Sequence, residues 1–431
     1  MSNDGQWLCY YLKADYGING IHFLKGGNGM SAWEGLYSKA ARGLKPSPTR
    51  ELMHVIRRPG MISFAGGMPD PQIFPVDLFC DCAEILKREG KDILQYGTTE
   101  GYQPLKEFLS EWLAPRLGRK VDPSKEILIV SGSTQVADLI SWALVDPGDY
   151  VIVEEPTFFG FTIPMYNHGA QFLTVPCDSE GMKVDLLPGL IEKAKKEGKK
   201  VAFIYTIPNF HNPLGCTLSL DRRKKLIEIS HSLGVPILED DPYGYLRFEG
   251  KDVASIFSLD GGTNVIHSGT FSKILAPGTR VAWCVGDADI IRKMAVFKQG
   301  TDLCTSVVAQ GLVCEYCRRG HLDSFLPKIV NHYRKKRDDM EEALKRHLPL
   351  EEVSWVKPQG GFFYWIEMKN VLTKDLFDKA IEKKVAFVPG EPFYASGKGG
   401  ERAFRMCFTF ATPEDTDEGI KRLGEAIREL M

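Results

Sequence analysis

The sequence predicts an α/β protein in which a mostly parallel sheet is covered by helices on both faces and is followed by a smaller α+β lobe. Three observations carry that expectation. Near-continuous apolar runs recur at 126–130 (EILIV), 150–153, 171–175, 201–205, 235–238, 264–267 and 281–285 (VAWCV), without the polar alternation of a half-exposed sheet. Helical segments such as 135–145 and 220–233 separate several of them, as parallel strands joined by crossovers require. Beyond Gly320 the pattern becomes a long charged helical stretch to His347, then strands near 362–367 and 404–410, then a closing helix over 414–430. A chain of 431 residues, 43% of them hydrophobic, is too long for one ordinary core and apolar enough for two.

Taken in order, residues 1–29 are glycine-rich and aperiodic and read as an N-terminal extension. A helical, basic pattern follows over 33–57 and includes Arg50 in SPTREL, where Ser47 or Thr49 supplies an N-cap. The stretch 61–75, MISFAGGMPDPQIFP, starts as a strand and breaks at Gly66 and Gly67. Two adjacent glycines permit close approach of backbone to a ligand and equally fit a plain turn. A helix is expected over 76–89. Tyr96 then lies in a polar, glycine-bearing loop within 94–109, where by itself it reads as a surface tyrosine.

The bulk properties exclude several function classes. A formal net charge of −2 leaves no electrostatic footprint for nucleic acid or an anionic membrane. No run of about eighteen apolar residues is present to span a bilayer. The opening residues lack a basic region followed by an apolar block, so a secretory signal is not expected and the protein is read as soluble and cytoplasmic. The ten cysteines are scattered, which favours reduced thiols over a disulfide framework. Cys314 and Cys317 form a C-x-x-C inside a helical pattern, without a second pair or nearby histidines, and are read with Cys80 and Cys82 as packing residues; no metal site is expected.

Candidate chemistry collects at the ends of the central strands, where open α/β sheets place their ligands. Lys273 organises it, in the stretch 268–280, SGTFSKILAPGTR, between two apolar runs and among hydroxyls and a guanidinium. An amine held near cations and partly desolvated has a lowered pKa and becomes a nucleophile able to form a Schiff base. The run SGST, 131–134, brings backbone N–H groups and hydroxyls to a helix N-terminus, which suits an anion. In YTIPNFHNPLG, 205–215, Asn212 is either an amide donor or a turn residue. LEDDPY, 238–243, puts three carboxylates at the end of a buried strand, where they are costly without a cation, a metal or a protonated ligand.

These parts fit one cofactor. Pyridoxal phosphate needs a lysine for its aldehyde, an acid for its ring nitrogen, donors for its phenolate oxygen, an aromatic face and an anion site. Lys273, Asp240, Asn212 with Tyr243, Phe158, and the Ser133/Thr134 junction with Arg280 answer those needs in turn.

The ordered motifs ISFAGGMPDPQIFP, LQYGTTEGYQPLKEFL, SGSTQVADLI, NPLG, EDDPY, TFSKILAPGTRVAW and AFRMCFTFATPED resemble those of the fold-type I pyridoxal phosphate aminotransferases. The resemblance is greatest to the class I subgroup containing 2-aminoadipate and kynurenine aminotransferases, and it runs from about Trp33 to the C-terminus. It implies a seven-stranded, mostly parallel sheet in a large cofactor-binding domain over 73–330, a small C-terminal domain over 331–431, and a segment, 30–72, packing with the small domain. It also implies that Lys273 bonds the cofactor and moves the proton, that Asp240 pairs with the ring nitrogen, and that Tyr243 and Asn212 contact the phenolate oxygen. Ser133, Thr134, Thr270, Ser272 and Arg280 would surround the phosphate. Tyr96 would reach the phosphate of the neighbouring subunit, giving a homodimer with shared active sites. Arg405, in FRMCF, would take the substrate α-carboxylate, helped by the Gly67 backbone and Asn212.

The implied substrates are amino acids and 2-oxo acids, with glutamate and 2-oxoglutarate as one pair and an aminoadipate-like, aromatic or aliphatic amino acid for the other. Arg50 stands where the family reaches a distal carboxylate or swings away for an apolar side chain; read alone it is a solvated helix charge. Two positions depart from the family pattern. Phe158 replaces a stacking tyrosine and keeps the ring face without the hydroxyl, and Thr134 replaces a glutamine with a shorter donor. The same fold supports lyases and decarboxylases. An aminotransferase-like ligand-sensing regulator would need a winged-helix domain, for which too few residues precede the matching region.

Overall fold

The computed structural model describes Trp33, residues 35–38, 41–42 and 59–431. Arg50, the extension over 1–29 and most of the helical pattern at 33–57 lie outside the described residues. The first strand, β1, is Ile62–Ser63. The large sheet then takes β2 (Ile127–Val130), β3 (Tyr150–Glu155), β4 (Gln171–Asp178), β5 (Gly181–Met182), β6 (Val201–Thr206), β7 (Ile237–Asp240), β8 (Val265–Thr270) and β9 (Ala282–Val285). Their order across the sheet is β2-β9-β8-β7-β6-β3-β4-β5. The strands from β8 through β7, β6 and β3 to β4 pair in parallel, and β9 runs antiparallel to both β8 and β2. Seven apolar runs therefore become seven strands; the eighth, β5, is a two-residue hairpin return from β4.

Every residue of β2, β7, β8 and β9 is buried, so both faces of the sheet need cover. The period of two divides the cover cleanly. Leu128 and Val130 pack in one core with Val136 of the helix Thr134–Leu144, Phe161 of Phe159–Asn167 and Met294 of Ala288–Asp302. Ile127 and Ile129 point the other way, into a core with Leu109 of Gln103–Leu117, Leu226 of Leu220–Leu233 and Val313 of Val307–Arg318.

Several boundaries differ from the sequence reading; β4 runs on to Asp178, and the last strand is Ala403–Cys407 and not 404–410. Strands β7 and β8 run on past their apolar residues, because Asp240 pairs with Ser268 and so prolongs the ladder into polar sequence. The helix expected over 76–89 is two helices, Val76–Cys82 and Ile85–Ile93, parted where the Ala83 N–H bonds Cys80 O at 3.1 Å instead of continuing the helical register.

The second sheet has four antiparallel strands in the order β10-β11-β14-β13, formed by β10 (Val353–Trp355), β11 (Phe363–Met368), β13 (Val388–Pro389) and β14 (Ala403–Cys407). The short β12 (Val385–Ala386) pairs in parallel with β1. That pairing stitches the segment after β1 to the small sheet: Phe64 N–H donates to Ala386 O at 2.7 Å, and Cys407 N–H to Phe64 O at 2.8 Å. Gly66 and Gly67 are thereby carried to the edge where the two sheets meet. Among the described residues, no helix is long and apolar enough to cross a membrane.

One buried cation ties the loops at the strand ends. Arg223, fully buried in Leu220–Leu233, donates to Leu218 O (2.9 Å), Ala254 O (3.0 Å), Pro208 O (2.8 Å) and Asn209 Oδ1 (2.8 Å). Arg223→Met strands these acceptors away from water, and an unfolding cost of at least about 3 kcal/mol is expected. Urea denaturation measures it, and an unchanged midpoint would show that the loops do not depend on this guanidinium.

Candidate active site

Three consecutive carboxylates close β7, and their surroundings separate them. Glu239 accepts from the Ile256 and Phe257 N–H groups at 2.8 and 2.9 Å and lies 3.3 Å from His267 Nδ1. Asp241 accepts from Arg116 Nη2 and Nε at 2.7 and 3.0 Å and from Asn209 Nδ2 at 2.9 Å. Between them Asp240 is 1% exposed, faces the opposite side of the strand, and is reached by the Tyr205 hydroxyl at 3.4 Å. Its Oδ1 is buried with no hydrogen-bond partner among the described residues. Burial, with the Asp241 charge adding to it, pushes the Asp240 carboxyl up to about 8. Such an oxygen is completed by a protonated ring nitrogen, so the residue that fits a pyridinium is Asp240 and not its neighbours.

Lys273 follows β8 by three residues. Its Nζ donates to Gly67 O at 2.7 Å and lies 5.6 Å from the centre of the Phe362 ring. Burial lowers its pKa to about 8, and the Arg405 and Arg280 charges act in the same direction. The amine is thus neutral in a large share of molecules near pH 8, as a nucleophile toward an aldehyde needs to be. Tyr243 packs against the same Phe362 ring at 5.5 Å and against Phe363 at 5.8 Å, and burial raises its pKa. Its phenol therefore stays protonated and can donate.

Arg405 comes from β14 in the small sheet, where Trp365 pairs with it across β11. It is 2% exposed and, among the described residues, bonded only to neutral acceptors: Asn212 Oδ1 at 2.9 Å, Ala65 O at 3.0 Å and Gly66 O at 3.5 Å. Its Nε is buried with no hydrogen-bond partner among the described residues, and burial lowers its pKa to about 10. A guanidinium held without a counter-charge between the Phe363 ring (4.3 Å) and the Phe393 ring (5.1 Å) is a receptor for a carboxylate. Three successive carbonyls, of Ala65, Gly66 and Gly67, hold the Lys273 and Arg405 cations together. A Cβ at Gly67 would come within 3.3 Å of Phe363 Cζ, so the segment packs closely against that ring.

The strand-to-helix junction after β2 gathers the anion-binding groups. Ser133 precedes the helix Thr134–Leu144 without using its hydroxyl as a cap, and Thr134 is exposed at the first turn. Arg280 turns back with φ 52° and donates to Ser131 O at 3.1 Å. Gly132, at φ 89°, makes room for it, since a Cβ there would lie 1.9 Å from Arg280 Nη2. At the end of β8, Thr270 Oγ1 bonds Ser272 Oγ and accepts from Ser272 N–H, both at 3.0 Å. Cationic guanidinium, helix N-terminus and hydroxyls together suit a phosphate. Phe158 begins the helix Phe159–Asn167 and belongs to an aromatic chain: its ring lies 6.2 Å from Phe161, which stacks at 5.1 Å on Tyr205.

Lys273, Asn212, Tyr243, Gly67 and Arg405 are thus joined by direct contacts, and Asp240 and Arg280 act on them through their charges. Tyr96 is not among them: its side chain is 79% exposed, and no described bond ties it to the others. The sequence reading missed Tyr205, which orients Asp240, and the Phe362–Phe363 pair that walls Lys273 and Arg405. A hydroxyl ending the apolar run VAFIY was a usable signal for the first. The aromatic pair read only as strand.

The model of the family Aminotransferase class I and II matches residues 79–423. Aromatic-amino-acid aminotransferase 1 of Thermococcus litoralis is 41% identical over 401 residues, 93% of this chain and 95% of that protein. 2-Aminoadipate transaminase of Thermus thermophilus is 38% identical over 405 residues, 93% and 98% of the two chains. The crystal structure of Pyrococcus horikoshii kynurenine aminotransferase, in complex with PMP, superposes with a TM-score of 0.88 at 42% identity and covers 93% of this chain and 98% of its own. The open oxygen of Asp240, the nucleophilic Lys273 and the unpaired Arg405 are accounted for together: this chain belongs to the class I and II aminotransferases and is a pyridoxal phosphate-dependent transaminase.

Proposed function

We propose that the chain transfers the α-amino group of an amino acid to 2-oxoglutarate at a site built on Lys273, Asp240, Tyr243 and Arg405. The observation that carries this reading is the buried Arg405 guanidinium, which has no acidic partner among the described residues and stands near an amine with a lowered pKa. Pyridoxal phosphate, when bound, supplies a conjugated ring that accepts the electron pair released at the substrate Cα. Lys273 is its covalent attachment point. Ser133, Thr134, Thr270, Ser272 and Arg280 hold the phosphate, Phe158 covers the ring, and Asn212 and Tyr243 donate to the phenolate oxygen. Asp240, deprotonated once it faces a cation, keeps a proton on the ring nitrogen.

Arg405 binds the α-carboxylate as a bidentate pair, with Asn212 and the Gly67 backbone beside it, and so orients the Cα–H bond. With the cofactor bound, the Lys273 amine would serve as the general base for the Cα proton and as the general acid that returns it. Such a proton transfer is transamination, whereas a lyase or decarboxylase breaks a different bond at Cα or Cβ.

The same reading assigns 73–330 to the cofactor domain and 331–431 to the small domain, with 30–72 packing on the latter, as the β1–β12 pairing supports. It makes the enzyme a homodimer in which the exposed Tyr96 reaches the neighbouring phosphate. It places the enzyme in the cytoplasm, in keeping with the free thiols of every described cysteine. The donors named in its relatives, aromatic amino acids, 2-aminoadipate and kynurenine, make an aromatic or aminoadipate-like amino acid the partner of glutamate. Arg50 is proposed to pair with a distal carboxylate or to move aside for an apolar side chain.

A panel of amino acids with 2-oxoglutarate, followed by oxo-acid product, tests the reaction and ranks the donors; absence of glutamate from every mixture would refute it. Lys273→Ala is expected to abolish turnover in that assay, and a normal rate would remove the lysine from the chemistry. Asp240→Ala should lower kcat by several orders of magnitude with the cofactor retained, whereas an undiminished kcat would dissociate this carboxylate from the ring nitrogen. Because the neutral form of Lys273 dominates only above about 8, capture of pyridoxal phosphate by cofactor-free protein should speed up about tenfold per pH unit below 8 and level off above about 9. Stopped-flow absorbance between pH 6.5 and 9.5 reads this, and a flat profile would contradict it.

A further inference from the structure

Behind the strand-to-helix junction lies an ion pair between a buried lysine and a partly exposed aspartate that the chemistry above does not use. Lys298 is 0% exposed, and its Nζ donates to Asp302 Oδ1 at 2.6 Å. The other oxygen of Asp302 accepts from Ser131 Oγ at 2.8 Å and from Gln135 Nε2 at 3.0 Å. Gln135 Oε1 in turn accepts the Ser131 N–H at 2.8 Å, and the Ser131 carbonyl receives Arg280 at 3.1 Å. Thr305 adds a further hydroxyl at 3.1 Å from Ser131 Oγ.

This arrangement does not serve its own helix. Asp302 is the last residue of Ala288–Asp302, where the helix dipole disfavours an anion. Lysine four residues before aspartate is also the less favourable order along a helix. Burying the Lys298 ammonium, beside an aspartate that keeps a quarter of its side chain exposed, costs desolvation that a surface pair would avoid. Directly afterwards the chain turns through Leu303 at φ 61°, a conformation costly for leucine and kept only where surroundings impose it. Although burial works against it, bonds from Lys298, Gln135 and Ser131 hold the Asp302 carboxyl below its ordinary range. The anion is therefore permanent, and its free oxygen is spent on two groups of the junction.

We propose that Lys298 and Asp302 are positioning residues for the cofactor phosphate: the pair clamps Ser131 and Gln135, and through the Ser131 carbonyl it fixes Arg280 and the N-terminus of Thr134–Leu144 in the form that receives the phosphate. Lys298 also cancels the Asp302 charge, so the junction presents net positive charge to its ligand. The proposal rests on the reading that this junction holds the phosphate.

The test compares pyridoxal 5′-phosphate with pyridoxal, which lacks the phosphate, in absorbance titrations of the full-length, cofactor-free protein. Wild type should prefer the phosphorylated form strongly. Asp302→Asn and Ser131→Ala should each raise the Kd for pyridoxal phosphate about ten- to a hundredfold and leave that for pyridoxal within about twofold. Equal weakening of both ligands, or an unchanged preference, overturns the proposal, because a merely structural role has no reason to distinguish them. Should Lys298→Met fail to fold, the double variant Lys298→Met/Asp302→Asn removes both charges and must show the same selective loss. Arg280→Met separates the two levels: if it leaves the phosphate preference intact, the junction is not the phosphate site; if it abolishes the preference while Asp302→Asn does not, only the clamp is wrong.

Discussion

Asp240 sits at the end of a central parallel strand, out of water, with one oxygen unmatched, and much of the site follows from the cost of leaving it so. A carboxylate in that position stays protonated or finds a cation. The sheet allows no retreat, because Asp240 is paired with Ser268 and bound into the ladder. Its neighbours cannot assist, since Glu239 is committed to two backbone N–H groups and Asp241 to Arg116. In the proposed reading a protonated ring nitrogen would resolve the tension, and the energy of that pairing would hold the cofactor in its reactive protonation state.

The same logic sorts the other buried charges. Arg223 has a full set of acceptors around its guanidinium, and Lys298 has Asp302; both act as struts. Lys273 and Arg405 are desolvated without a counter-ion among the described residues, both have lowered pKa values, and both lean on backbone carbonyls that are weaker partners than a carboxylate. Incomplete satisfaction marks the groups that meet ligands, and complete satisfaction marks those that hold the frame. The role proposed for Arg405 requires this poise, because a guanidinium already paired with an acid would have to break that pair before accepting a substrate.

The site is also a joint between two sheets. Lys273 and Asp240 come from the large sheet, Arg405 from the small one, and the segment 65–67 offers successive carbonyls to both cations. That segment is sewn to the small sheet through Phe64, Ala386 and Cys407. A displacement of the small sheet would therefore move the carboxylate receptor and the Lys273 acceptor as one unit, keeping substrate and amine in register.

The alternation of apolar runs with helical segments was enough for the α/β class, for seven strands and for placing Lys273, Asp240 and Asn212 in or just after strand ends, because burial on both sheet faces writes itself into local composition; Arg405 came from the family resemblance and lies in the middle of β14. Ladder lengths were not legible in the same way: β7 and β8 continue through Asp240 and Thr270 by pairing with each other, which hydropathy does not register. Nor could local sequence tell which of Glu239, Asp240 and Asp241 is free, since Arg116 lies 125 residues from the aspartate it neutralises. The Lys298–Asp302 clamp reads along the chain as an ordinary helical charge pair, and only the tertiary fold brings it against Ser131. What the sequence determined by itself was the kind of fold and the inventory of reactive groups. The tertiary structure decided which charges are paired and which are left open, because pairing depends on distances across elements that no local pattern encodes.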